Sequence, residues 1–406
     1  MELFVARQPI FDAHLNVRAY EMLFRSGTRN AFDGTEANMA TSKVISALFG
    51  SAESEHLLGD KTAYINFPRT LLLEDTALVL PAHKTVIEIL ETVEPDEAVV
   101  AACSRLRARG YRLALDDFVP AAAPHPLLPI ADILKVDFRL ATPAEQQEAA
   151  TRFGSQLCLL AEKVETREEF RRARRLGYEL FQGYFFARPE IAATPEIPGV
   201  KLNYLRILQE VHRSDLDFTR LSALLRREPS LSYKLLRFVN SALFARPAPL
   251  HSIHHALAFA GEEAVRKWLT VVALLDLASD QPAELALNAL VRARFSELLA
   301  TGTDLRSRSD DCFLMGMFSR LDAMLGRPLE ELLTGLNLNP EIVRALLDRP
   351  EPGDRLPDLW MAVRAYETGD WNRLIPLASS LKIKTGALAS CYTQAVSWAD
   401  AAGTMR

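Results

Sequence analysis

The stretch Leu113-Ala114-Leu115-Asp116-Asp117-Phe118 sets two adjacent carboxylates at the end of a short apolar run. Neighbouring side chains on a strand point to opposite faces, so adjacent acids can serve one point only where a strand ends or bulges. Two carboxylates held together repel, and a cation or a shared proton is the usual resolution. Taken alone, the pair reads more readily as a solvated turn. The sequence on either side decides otherwise.

Apolar runs of strand length recur at residues 4–11, 19–24, 63–67, 85–90, 112–118, 133–138, 156–163 and 180–186. Amphipathic, helix-like segments lie between them, among them 35–49, 96–109 and 167–176. Strand and helix in alternation imply a parallel sheet, and about eight such strands imply a closed (β/α) TIM-like barrel. Polar groups recur where barrel strands should carry only packing residues: Glu21, Asn66, Glu88, Lys135, Glu162 and Gln182, beside Asp116 and Asp117. An unpaired buried charge is costly, so a polar group on strand after strand is hard to reconcile with a purely structural barrel. In a closed barrel these groups converge on the C-terminal mouth. Glu, Asp and Asn oxygens without sulfur or histidine suit Mg²⁺ or Mn²⁺, and two such ions would hold a phosphodiester and activate water for in-line attack. A lysine in the same ring would steady the hydroxide or the developing phosphorane charge. The residues themselves thus point to metal-assisted phosphodiester hydrolysis.

The chain has 406 residues, which implies two domains or more, and 49% of them are hydrophobic, enough for globular folding. A formal net charge of −5 gives no basic excess for nucleic acid or anionic lipid, so neither is expected as a partner. No charge-free apolar run reaches the roughly 18 residues of a membrane span, and the N-terminus lacks the layout of a secretory signal. A cytoplasmic protein is expected. Cys103, Cys158, Cys312 and Cys391 are too scattered for a zinc cluster or a disulfide framework. His251, His254 and His255 could share a helix face, but no acid or cysteine stands at a matching spacing.

Residues 1–195 resemble the EAL domain, a cyclic di-GMP phosphodiesterase on a (β/α) barrel. The resemblance runs through Gln8-Pro9-Ile10, Glu21-Met22-Leu23-Phe24-Arg25, Asn66, Glu88 with Glu91, Asp116-Asp117-Phe118, Leu134-Lys135-Val136-Asp137, Ala161-Glu162-Lys163-Val164-Glu165-Thr166 and Gln182-Gly183-Tyr184. It implies that Glu21, Asn66, Glu88, Asp116, Asp117 and Glu162 bind two Mg²⁺ or Mn²⁺ ions or their waters. It further implies that Lys135 assists the nucleophilic water, with Glu21 and Glu162 in the catalytic set. Gln182 would hold substrate or solvent, and Gln8 and Arg25 would contact cyclic di-GMP, Arg25 through a phosphate oxygen. Glu91 would brace the loop after Asp117. That loop departs from the family: Val119-Pro120-Ala121-Ala122-Ala123-Pro124 stands where a glycine- and serine-rich segment is usual. Positive-φ freedom and hydroxyls are both lost there, which motivates a competing reading as a catalytically inactive receptor or scaffold. The same loop serves the family's dimer interface, so a homodimer is an expectation that this change weakens.

Prolines at 189, 195 and 198 mark a linker into a second domain, residues 196–406, with no alternating strand pattern. A helix opening at Pro229 and another over 253–268 containing Ala260-Gly261 resemble the HDOD domain, a helical signalling module related to HD phosphohydrolases. Ser319-Arg320 occupies the place of the metal-binding His-Asp pair of catalytic HD relatives. The resemblance therefore implies a regulatory or output module that binds a protein partner. The run Arg171-Arg172-Ala173-Arg174-Arg175 reads as a solvated outer helix face.

Overall fold

The computed structural model describes residues 3–26, 58–118, 125–187, 198–241 and 250–403. The expected helix at 35–49 and the rewritten loop 119–124 lie outside these residues, as does most of the expected linker. The first half is a closed eight-stranded barrel with the strands in sequence order: β1 (Leu3–Asp12), β2 (Val17–Ser26), β3 (Thr62–Phe67), β4 (Thr85–Ile89), β5 (Arg112–Leu115), β6 (Ile133–Asp137), β7 (Cys158–Glu162) and β8 (Leu180–Gln182). From β2 to β8 neighbours are parallel, but β1 runs antiparallel to both β2 and β8, a correction to the all-parallel expectation. The cause is local. Only a short turn after Asp12 joins β1 to β2, with Asp12 Oδ1 accepting from the backbone N–H groups of His14 and Asn16. A parallel connection needs roughly a dozen residues or more.

Around the barrel, α1 (Arg69–Leu73) and α2 (Glu97–Ala108) precede β5, while α3 (Pro143–Phe153) and α4 (Arg167–Leu176) flank β7. Asp96 caps α2 through Val99 N–H, and Thr142-Glu145 and Thr166-Glu169 form capping boxes on α3 and α4. Burial of Phe170 and Ala173 turns the apolar side of α4 inward and leaves Arg171, Arg174 and Arg175 exposed, as expected.

Among its described residues the second half holds helices and their connections and no strand. Its elements are α5 (Gly199–Val211), α6 (Phe218–Leu225), α7 (Pro229–Val239), α8 (Ile253–Ala260), α9 (Glu262–Leu277), α10 (Ala283–Thr301), α11 (Ser309–Phe318), α12 (Leu321–Leu325), α13 (Leu329–Thr334), α14 (Pro340–Leu346), α15 (Leu356–Glu367), α16 (Trp371–Ser380) and α17 (Thr385–Gly403). The single helix expected over 253–268 is two, because Gly261 at φ +82° ends α8 and starts α9 in a new direction. His251 precedes α8 and does not share its face with His254 and His255. Among the described residues no helix is long and apolar enough to cross a membrane.

One continuous apolar cluster joins the two halves. Tyr366 of α15 places its hydroxyl on the β1 backbone, donating to Val5 O at 2.7 Å and accepting from Val5 N at 3.3 Å. Beside it the Arg7 guanidinium lies 4.2 Å from the centre of the Tyr20 ring and 3.7 Å from Asp400 of α17.

Candidate active site at the mouth of the barrel

Strand alternation builds the barrel interior in two layers. The lower layer is apolar: Ile10, Ala19, Tyr64, Val86, Ala114, Ile133 and Leu160 pack together, with Leu180 against them. Two residues further along a strand the side chain returns to the same face. In β2 to β8 that step leads to Glu21, Asn66, Glu88, Asp116, Lys135, Glu162 and Gln182. In the antiparallel β1 the equivalent step is backwards, from Ile10 to Gln8. The polar ring of the sequence is thus one layer of the barrel, seated on an apolar plug.

Lys135 stands at its centre, fully buried. Its Nζ lies 2.6 Å from Glu88 Oε1, 2.7 Å from Glu162 Oε1, 2.8 Å from Asp116 Oδ1 and 3.7 Å from Glu21 Oε2. Gln182 Nε2 donates to Glu21 Oε2 at 2.6 Å and to Gln8 Oε1 at 3.0 Å. Burial works against the Lys135 charge, but Glu162, Glu21, Glu88 and Asp116 outweigh it and hold the ammonium's pKa well above the usual lysine range. Burial also pushes the Glu162 carboxyl up to about 8 against the pull of Lys135, and burial together with Glu21 raises Glu88 well above the carboxylate range. Asp117 is raised by burial and by Asp116.

Four carboxylates facing one ammonium leave the ring short of positive charge. Asp116, Asp117 and Glu162 offer oxygens within 4.8 Å of one another. Glu88 Oε2 and Gln182 Oε1 are buried with no hydrogen-bond partner. Buried, unshared oxygens in an excess of negative charge fit a hard divalent cation and its waters. Asp117 is held beyond the end of β5 at φ +41°, a left-handed conformation that Asp tolerates better than most residues. It faces Lys163 Nζ at 3.5 Å, and Lys163 also pairs with buried Asp137.

Of the residues expected at the site, Gln8, Glu21, Asp116, Asp117, Glu162 and Gln182 line one cleft of about 440 Å³, with Lys135 beneath. Asn66 sits level with Glu88 in the β3–β4 register, and Glu91 is exposed at the rim of a smaller hollow shared with Asp116 and Asp117. The side chain of Arg25 and the loop that Glu91 would brace lie outside the described residues. Sequence reasoning gave no role to Lys163, Tyr184 or Thr368, which line the same cleft. Lys163 and Tyr184 could have been found as neighbours of Glu162 and Gln182. Thr368, from the far half of the chain, had no such signal.

In the helical half, Ser319 caps α11 and its hydroxyl donates to Gly316 O at 2.7 Å. Arg292 donates to Ser319 Oγ at 3.3 Å and forms a two-pronged pair with Glu367, the Nη2–Oε2 arm at 2.6 Å. Arg320 donates to Asn288 Oδ1 at 3.0 Å. Ser319 and Arg320, expected from the sequence in place of a metal-binding pair, both belong to a hydrogen-bonded network with Asn288, Arg292 and Glu367.

Residues 54–189 match the EAL domain and residues 195–325 the HDOD domain. Over 372 residues the chain is 36% identical to the cyclic di-GMP phosphodiesterase CdgJ of Vibrio cholerae, covering 91% of this chain and 85% of that one. The chain belongs to the EAL–HDOD family. A second relative, the uncharacterized protein YuxH of Bacillus subtilis, is 32% identical over 408 residues and 98% of both chains. Among solved structures, the Bacillus subtilis YkuI protein, with an EAL domain in complex with substrate c-di-GMP and calcium, is 18% identical, covers 66% of this chain and 72% of that one, and has a TM-score of 0.38. The EAL match spans every cleft-lining acid except Glu21, which precedes it. The helices from Leu329 onward lie beyond the HDOD match.

Proposed function

We propose that this EAL–HDOD chain hydrolyses cyclic di-GMP to linear pGpG in the barrel, and that its helical half, from about residue 196, modulates that activity or passes it to a protein partner. The observation that carries the reading is the ring itself, Glu21, Glu88, Asp116 and Glu162 around Lys135, with Asp117 beside it. Glu21, Asn66, Glu88, Asp116, Asp117 and Glu162 would hold two Mg²⁺ or Mn²⁺ ions. Such ions supply charge neutralisation of the phosphodiester and acidify bound water. Lys135 contributes as a fixed cation and hydrogen-bond donor, because its surroundings keep the proton on Nζ. It steadies the attacking oxygen as the new P–O bond forms and the ring P–O bond to the leaving 3′-oxygen breaks. Gln182 fixes the Glu21 carboxylate and, with Gln8, frames the substrate side of the cleft. Arg25 remains assigned to a phosphate oxygen. The activity assigned to the Vibrio relative, at 36% identity, supports the same reading.

The test is incubation of the purified protein with cyclic di-GMP and Mn²⁺ beside a Glu21→Ala control. Linear dinucleotide is expected from the first alone, and none above control removes the enzyme reading. The replaced segment Val119-Pro120-Ala121-Ala122-Ala123-Pro124 favours a second reading, a receptor that binds without turnover. Calorimetry in Ca²⁺ separates the two, since tight binding there with no product in Mg²⁺ or Mn²⁺ identifies a receptor.

A further inference from the structure

The cleft at the mouth of the barrel has one lining residue that the barrel does not supply. Thr368 stands in the turn between α15 and α16, in a part of the chain beyond both family matches, and lines the same cleft as Glu21, Asp117, Glu162 and Gln182. Its side chain is exposed, while the residues on either side are fastened down. Tyr366 is fully buried with its hydroxyl on Val5 of β1. Glu367 is held by both prongs of Arg292, which is steadied in turn by Ser319. Gly369, at φ +68°, stands beside β2, where a Cβ would meet Leu23 Cδ1 at 3.4 Å, an ordinary packing distance. Thr368 Oγ1 donates back to Arg364 O at 3.0 Å, which closes the end of α15. A turn anchored on both sides presents a fixed surface, and rigid placement is what a substrate wall requires.

We infer that the Thr368-Gly369 turn is a wall of the substrate cleft, with Thr368 in contact with the bound cyclic dinucleotide and Glu367 as its positioning residue through Arg292. This rests on the proposed phosphodiesterase reading and adds to it that the helical half completes the substrate site. Ser319, in the place of the lost metal-binding pair, then belongs to the brace: it holds Arg292, Arg292 holds Glu367, and Glu367 sets the turn. The wall stands on the side of the cleft lined by Leu23 and Tyr184, and Arg320 lies 5.9 Å from the centre of the Tyr184 ring. The Thr368 hydroxyl itself is turned back onto α15, donating to Arg364 O and Ala365 O.

The experiment compares wild type, Thr368→Trp and Glu367→Gln in the full-length protein. It measures KM and kcat for cyclic di-GMP in Mn²⁺, substrate affinity in Ca²⁺ and Mn²⁺ affinity without substrate. Thr368→Trp is expected to raise KM by about tenfold or more, the scale of a misfit in a shaped pocket, with Mn²⁺ affinity unchanged; Glu367→Gln shifts KM in the same direction by less. A remote structural fault would instead lower kcat and Mn²⁺ affinity together. As a variant that folds before bulk is added, Thr368→Cys is measured before and after alkylation with iodoacetamide, beside wild type treated identically, and alkylation should raise KM in the variant and not in wild type. Wild-type KM in Thr368→Trp, or in the alkylated Thr368→Cys, overturns the wall. Absence of binding and turnover in wild type itself overturns the phosphodiesterase reading and this inference with it, an outcome distinct from an active wild type with indifferent variants.

Discussion

Lys135 shows how much the ring depends on balance between charges. With Glu88, Asp116 and Glu162 all within 2.8 Å of Nζ, the ammonium cannot act as a base. Its charge is nevertheless one against four, and burial, which pushes Glu162 up to about 8, favours a proton there when no cation is bound. A cation entering the ring has to displace such a proton, so binding is linked to pH. Below about pH 8 the affinity for Mn²⁺ should climb with pH, by about tenfold per unit for each proton expelled. Calorimetry in buffers of different ionisation enthalpy should register proton release at pH 7. A flat affinity between pH 6 and 8 would show that Glu162 is already ionised and that the ring is balanced in some other way. The identity of these residues was legible in the sequence because each interrupts an apolar strand. Their pairing was not, since contact with Lys135 depends on closure of the barrel.

At the scale of elements, the two-layer interior explains why a three-residue strand such as β8 suffices. Leu180 seats it on the apolar plug and Gln182 reaches the ring, and then the chain must leave at once. Gly183 makes the exit at φ +142°, where a Cβ would lie 2.1 Å from Val164 O. Gly183→Ala should therefore destabilise the protein by about 2 kcal/mol or more and displace Gln182 from Glu21. Urea unfolding and the hydrolysis assay read the two effects, and a variant of wild-type stability would refute the close packing. Eight strands and the flanking helices 96–109 and 167–176 were legible from periodicity, and the structure adds Asp96 and Thr166 as their caps. Periodicity carries no direction, which is why antiparallel β1 escaped it. The signal that could have shown it is the brevity of the Asp12 to Asn16 turn. Gly261 was likewise visible, but glycine within an apolar helical pattern is compatible with either a continuous helix or a break.

At the scale of the molecule, barrel and helices share one apolar cluster, so the chain should unfold in one cooperative transition. None of this seam was legible, because its partners stand hundreds of residues apart: Val5 with Tyr366, Arg7 with Asp400, Tyr20 with Glu284. The last pair gives the seam a dependence on pH. Tyr20 donates to Glu284 Oε2 at 3.2 Å; burial raises the Glu284 carboxyl, Arg7 and the Tyr20 hydrogen bond oppose this, Asp400 adds to it, and the result is about 7. A carboxyl whose pKa is higher folded than unfolded binds its proton more tightly in the native state, so its contribution is fully present below about pH 4 and lost as pH rises through about 7. Glu284→Gln keeps an oxygen for Tyr20 and removes the titration. Its melting temperature relative to wild type should therefore rise between pH 5 and pH 8, by several degrees if burial dominates as the geometry indicates. Parallel melting curves for the two proteins across that range would mean that Glu284 stays charged at the seam, with Arg7 turned fully toward it.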